Sequence, residues 1–172
     1  GEDVELDIGG SFFASTADSI LFDDGSIFSA LDITAPPLLT ITAPVGLQLG
    51  ATPGSITATD SEFKMEGQTF GLVGAEITLN GAEVDADEGR VELFAATNSQ
   101  VPIITVDGQL ALGTQPTVGD WGDISLLNRA EIDNDDNGRG AVQLQGGKIS
   151  LQARSRIIVE NEGSIPSGDI TI

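Results

Sequence analysis

The run Asp133-Asn-Asp135-Asp-Asn137-Gly138 sets oxygen-bearing side chains at alternate positions and ends on a glycine. That order opens a calcium loop, in which a hard cation takes carboxylate and amide oxygens and glycine permits the sharp turn. Asp133, Asp135 and Asn137 are the candidate ligands. A complete helix-flanked loop would need glutamate at the twelfth position, which here is Leu144. The same residues also read as a polar corner inserted between strands at 124–127 and 141–145. Asp85-Ala-Asp87-Glu88-Gly89-Arg90 is a second acidic corner, able to clamp a cation or to prime a carboxylate pair, and also readable as a solvated turn. Asp23-Asp24-Gly25 reads as a tight turn.

Beyond these oxygens there is little catalytic hardware. The 172 residues contain no His, no Cys and no Tyr. That removes zinc fingers, thiol nucleophiles, haem ligation and a Ser-His-Asp relay. Two carboxylates at a set separation could cleave glycosides, but Trp121 is the sole indole and no aromatic platform for sugar stacking stands out. The reading is of a protein without enzymatic activity.

The charge is −20, from 27 Asp and Glu against 7 Lys and Arg. A surface this acidic repels phosphate backbones and anionic lipid heads, which argues against nucleic-acid binding and membrane-surface binding. No apolar run approaches the roughly 18 residues of a membrane helix. Apolar residues still make up 40% of the chain, enough to build a core rather than a disordered polyanion. The charge is uneven. Residues 1–63 hold ten carboxylates and no cation, and Lys64 is the first positive side chain. The N-terminal GEDVELDIGG has neither a basic region nor an apolar core, so no targeting peptide is expected there.

The elements that must position these groups are strands. Apolar and polar residues alternate in VELDI (4–8), LLTIT (38–42), SITAT (55–59), EITLN (76–80), RVELF (90–94), DISLL (123–127), AVQLQ (141–145) and KISLQ (148–152). Period-2 alternation in short β-branched runs predicts half-buried strands, and 22 Gly with 7 Pro interrupt any helix. The turns Asp24-Gly25, Asn80-Gly81 and Asp107-Gly108 suit hairpins, which keeps an antiparallel sandwich in play.

The strands also resemble one another. G-x-[IV] recurs at Gly54-Ser-Ile56, Gly89-Arg-Val91, Gly122-Asp-Ile124, Gly140-Ala-Val142 and Gly168-Asp-Ile170. A second type is Ile77-Thr-Leu79 and Ile149-Ser-Leu151. A third is Glu83-Val84-Asp85, Glu131-Ile132-Asp133 and Arg156-Ile157-Ile158. Such cycling predicts a solenoid, because single coils cannot bury their inward residues while stacked coils share a continuous apolar column. The expected fold is an all-β parallel β-helix of about eight coils, some 40 Å long at about 4.8 Å per level, with a short β-hairpin extension. The strand-like text at both ends, without a capping element, predicts one β-helical segment of a longer chain.

The segments GGSFFASTADSILFDDGSIFSA (9–30), PPLLTITAPVGLQLG (36–50), PGSITATDS (53–61) and FGLVGAEITLNGAEVDADEGRVEL (70–93) resemble the secretion domain of filamentous-haemagglutinin-like exoproteins. These are passengers of bacterial two-partner secretion, and the wording is closest to cyanobacterial members. GDISLLNRAEID (122–133) resembles the repeats that follow, dividing the segment into a secretion-domain-like part at 1–95 and further coils at 120–172. The resemblance implies a right-handed winding and export through a dedicated outer-membrane transporter. It also implies a secreted or cell-surface location and an adhesive or structural role. One departure is the missing NPNG-type motif, for the chain has no Asn-Pro dipeptide. The surface ligand on a host, neighbouring cell or matrix is not specified. End-to-end self-association and carbohydrate binding are the alternatives from the binding class, and calcium is the one cofactor the residues suggest.

Overall fold

Residues that alternate in polarity can satisfy one buried face only by pairing side by side, and the chain does so throughout. The computed structural model describes residues 1–32, 34, 42–114, 116–136, 140–161, 163–164 and 170–172. These form strands and turns, with no helix among the described residues.

The strands are laid down in a repeating order. Glu5–Asp7 (β1) and Phe12–Ser15 (β2) come first, followed by an excursion through Ser19–Phe22 (β3), Ile27–Ser29 (β4) and Pro44–Leu49 (β5). Ile56–Thr59 (β6), Glu62–Lys64 (β7) and Thr69–Gly74 (β8) make one circuit. Ile77–Asn80 (β9), Glu83–Asp85 (β10) and Arg90–Thr97 (β11) make the next. A second excursion contains Ser99–Val106 (β12), Gln109–Leu112 (β13) and Asp120–Trp121 (β14). Two circuits follow: Asp123–Leu127 (β15), Glu131–Asp136 (β16) and Ala141–Gln145 (β17), then Lys148–Leu151 (β18), Arg156–Asn161 (β19) and Ile170–Thr171 (β20).

Equivalent strands of successive circuits pair in parallel. Sheet I has the order β6-β9-β15-β18, sheet II β1-β7-β10-β16-β19, and sheet III β2-β8-β11-β17-β20. The excursions combine into sheet IV, which is antiparallel with the order β13-β12-β5-β3-β4, while β14 pairs antiparallel to β11. The hairpin extension expected from sequence is thus a five-stranded sheet. Among the described residues sheets II and III are five strands deep, fewer than the eight coils expected. Dividing chain length by one repeat overcounts because β3–β5 and β12–β14 leave the stack.

Register explains the core. Ile56, Ile77, Ile124 and Ile149 are ladder partners in sheet I, as are Phe63, Val84, Ile132 and Ile157 in sheet II. With Phe70, Leu72, Val91, Leu93, Val142 and Leu144 of sheet III they fill one apolar cluster shared by all three sheets. Phe70 anchors it, its ring centroid 5.9 Å from that of Phe12 and 4.9 Å from that of Phe63. Each fully buried Leu, Ile or Phe contributes about 1.5–3 kcal/mol, so the stack holds together with no cysteine in the chain.

Polar ladders mark the corners and outer faces. Asn128 Nδ2 donates to Asn80 Oδ1 at 2.8 Å, and the Ser125 and Ser150 hydroxyls meet at 3.1 Å. The Asn80-Gly81 pair, expected in a hairpin, instead turns the chain from sheet I to sheet II, with Gly81 at φ 65°. Asp107-Gly108 does close the β12–β13 hairpin, both residues having positive φ (52° and 87°), as a two-residue hairpin turn requires. The strand expected over 38–42 falls mainly outside the described residues.

Candidate functional site

Sheet III is covered on both faces, and the seam on its outer side is where the chemistry collects. Along β11, Val91, Leu93 and Ala95 face the shared core, while Phe94 and Ala96 join Val73, Leu47, Leu49, Val101 and Leu112 in a second apolar cluster against sheet IV. A strand buried on both sides reads as a continuous apolar run, which VELFAA is apart from Glu92. Trp121 of β14 closes one flank, its ring centroid 5.5 Å from that of Phe94.

Phe13, Gly71, Glu92 and Gln143 form one row across the outer face by register. A Cβ on Gly71 would lie 2.2 Å from the Phe13 ring, so the glycine makes room for the phenyl group. Glu92 is completely buried. Its Oε1 accepts from Arg90 Nε at 3.0 Å and pairs with the second guanidinium nitrogen at 2.9 Å, while Oε2 is buried without a hydrogen bond of normal geometry among the described residues. Burial pushes the Glu92 carboxyl up to about 7, against the opposing pull of Arg90 and of the Leu112 backbone N–H. Desolvation outweighs an ion pair when the charge has only one good partner.

The edge strand β13 is tied down by side chains of the stack. Thr69 Oγ1 donates to Leu110 O, Gln143 Nε2 to Leu112 O at 3.1 Å, and Gln145 Nε2 to Gly113 O at 3.4 Å. In the other direction Gln109 Nε2 donates to Gly67 O at 3.0 Å and Glu88 O at 2.8 Å. These bonds occupy carbonyls that an open strand edge would otherwise offer to another chain. Further along the seam a cavity of about 350 Å³ opens between Phe13, Ile20, Phe28, Leu47, Ile103 and Leu110.

The sequence-derived sites are dispersed. Asp133 lies half-buried within β16, a continuous strand over Glu131–Asp136 rather than the opening of a loop. The side chain of Asp135 and the whole of Asn137 lie outside the described residues, and the calcium proposal for the three stands on their sequence alone. Among the described residues no group of three Asp or Glu is clustered as a metal would need. Asn134, on the opposite face of β16 from Asp133, is buried and donates to Gly89 O at 3.1 Å. Arg90 leaves the acidic corner to serve Glu92, and the corner at Glu88 has φ 54°. Asp23-Asp24-Gly25 is the β3–β4 turn, where Asp24 Oδ1 accepts from Ser26 N at 2.9 Å and Gly25 has φ 80°. Of the neighbouring Phe12 and Phe13, Phe12 packs against the main core and Phe13 against the seam.

Glu92 was not legible as a site from sequence. In RVELF it occupies the polar slot of an alternating strand, which predicts exposure. The signal for burial is the run Phe94-Ala95-Ala96 two residues on, because a strand with one wet face would not spend three successive positions on apolar residues.

Parallel stacked sheets with an antiparallel sheet folded over one face define an all-β scaffold. The model of the TPS secretion domain family matches residues 1–172, and the chain belongs to that family, the two-partner secretion domain of filamentous-haemagglutinin-like exoproteins. Family members are exported through an outer-membrane transporter partner and reach the cell surface or the medium. No curated protein and no solved structure matches the chain.

Proposed function

We propose that this domain carries the export of an adhesive or structural exoprotein, performs no chemistry of its own, and uses sheet IV as the face its transporter reads. The stack is read as a right-handed parallel β-helix, whose stacked circuits give shape and length. The observation that carries the transporter reading is the concentration of exposed apolar side chains on and beside sheet IV. Ile27 and Phe28 on β4, Leu31, Val45 on β5, Ile104 on β12 and Leu110 on β13 are 37–71% exposed. Exposed apolar surface of this kind on a strongly charged protein marks an interaction face. The acidic first 63 residues support solubility before folding, and stacking outside the membrane would draw the chain forward without ATP.

The test is secretion from cells that express the cognate transporter. Ile27→Ser with Phe28→Ser should cut secretion several-fold while lowering the thermal midpoint of the purified domain only modestly, since both side chains are about half solvated. Normal secretion of that variant would remove the sheet IV reading. Release of the wild-type domain without any transporter would remove the export role itself.

A further inference from the structure

The corner between sheets I and II carries a column of left-handed residues. Asp3 (φ 51°), Asp60 (47°) and Gly81 (65°) occupy the first three levels. At the next two levels the column widens into pairs, Asn128–Arg129 at 54° and 69° and Ala153–Arg154 at 52° and 70°. The turns form one ladder: Asp3 N–H donates to Thr59 O, Asp60 N–H to Asn80 O, Gly81 N–H to Leu127 O, and Arg129 N–H to Ala153 O. The registers Leu126↔Leu151 and Glu131↔Arg156 bracket the last two turns without insertion, so Arg129 sits one level from Arg154.

Left-handed backbone disfavours every residue with a Cβ, and glycine removes the strain. One level down the same corner uses glycine. These two turns instead retain three disfavoured residues, Arg129, Ala153 and Arg154, beside an Asn128 that tolerates the conformation, and the two outer positions are both cationic. Strain kept at a fixed place is a reason to look for a role. Electrostatics points the same way. Among the described residues Lys64 pairs with Glu62, Arg90 with Glu92 and Arg156 with Glu131, whereas neither Arg129 nor Arg154 has a carboxylate within 4.0 Å. Glu131, two residues beyond Arg129, is held by Arg156 at 2.6 Å. On a chain with 27 acids and 7 bases, two arginines whose backbones lie on adjacent levels, about 4.8 Å apart, line an open recess of about 480 Å³ with Asn128 and Ala153.

We propose that Arg129 and Arg154 form a binding site for an oxyanionic group, a sulfate, phosphate or carboxylate, held between two guanidinium forks with the Asn128 amide at its side. Each planar fork can give two parallel N–H bonds to such a group, and the anion offsets the repulsion between the two cations. The acidic surface elsewhere keeps anions off the rest of the molecule, so binding is local and weakens with salt.

The test follows the arginine Nε–H signals by NMR at low ionic strength. The domain is titrated with sodium sulfate, with dextran sulfate at equal sulfate concentration, and with sodium chloride at matched ionic strength. Saturating shifts at Arg129 and Arg154 that chloride does not produce are expected. Saturation by inorganic sulfate identifies a free-anion site, and saturation by dextran sulfate alone identifies a polymer-borne group; either supports the site. The double variant Arg129→Gly with Arg154→Gly should lower the association constant at least about tenfold and raise the melting temperature, because glycine relieves both turns. The site is overturned if neither sulfate ligand shifts the two signals beyond chloride, or if the double variant binds as tightly as the wild type. A lower melting temperature in that variant would overturn the strain argument.

Discussion

Glu92 on β11 and Gln143 on β17 are register partners, and both side chains reach out of the stack to the backbone of Leu112 in sheet IV. Gln143 gives a hydrogen bond to the Leu112 carbonyl, and the Leu112 N–H stabilises the Glu92 carboxylate. Two circuits of the stack therefore hold one strand of the insertion. The seam is polar at this point and apolar on either side.

That arrangement makes stability depend on pH. The Glu92 carboxyl moves from 4.5 to about 7 on folding, so the folded state binds the proton more tightly than the unfolded state. The contribution is fully present below pH 4.5 and is lost as pH rises to about 7, a change of about 3 kcal/mol at 1.36 kcal/mol per unit. Urea unfolding across pH 4.5 to 8 should show this decline, and Glu92→Gln should flatten it relative to the wild type. Equal slopes for the two proteins would mean that general acid-acid repulsion, not Glu92, sets the trend.

Gln143 and Glu92 should also be coupled. Gln143→Leu leaves the buried Leu112 carbonyl without its donor, at a cost of about 1–3 kcal/mol. In a double-mutant cycle with Glu92→Gln, an interaction of about 0.5 kcal/mol or more is expected, because both act on one residue. Strict additivity in denaturant titrations would show that the two hold Leu112 independently.

Ile132 is fully buried between Val84 and Ile157 on the neighbouring levels of sheet II. Ile132→Ala should cost about 2–5 kcal/mol, measured by chemical unfolding. A loss below about 1 kcal/mol would show that the column collapses into the gap, which close packing on three sides resists.

Gly122 is needed for space rather than for its torsion angles. A Cβ there would lie 1.7 Å from the Ala75 carbonyl oxygen, at the point where the second excursion rejoins the stack. Gly122→Ala should destabilise by at least about 1–3 kcal/mol, whereas Gly108→Asn, in an open hairpin turn with no atom near its Cβ position, should cost far less. Similar melting temperatures for the two variants would contradict the close approach.

Several of these features were legible in the sequence, and their limits have physical causes. The short apolar pairs Val84, Ile132 and Ile157 share one ladder position, as their common flanks implied. The G-x-[IV] strands do not form one set. Ile56 and Ile124 fall in sheet I, while Val91, Val142 and Ile170 fall in sheet III. A glycine before a strand reports only a tight corner, and this stack has several kinds. Sequence patterning understates sheet IV because its pairing of β5 with β12 joins segments some fifty residues apart, a contact that local patterning does not record. The burial of Glu92 depends on that same covering sheet, and so was hidden with it.

The β5–β12 pairing also makes an early part of the chain depend on a later one. Ser99 to Pro102 pair with Leu49 to Gly46, so β5 has one bare edge until the third circuit has been delivered. Sheet IV then fastens the first circuit to the third across the second, and early circuits that could slip back or unwind singly are clasped as a group.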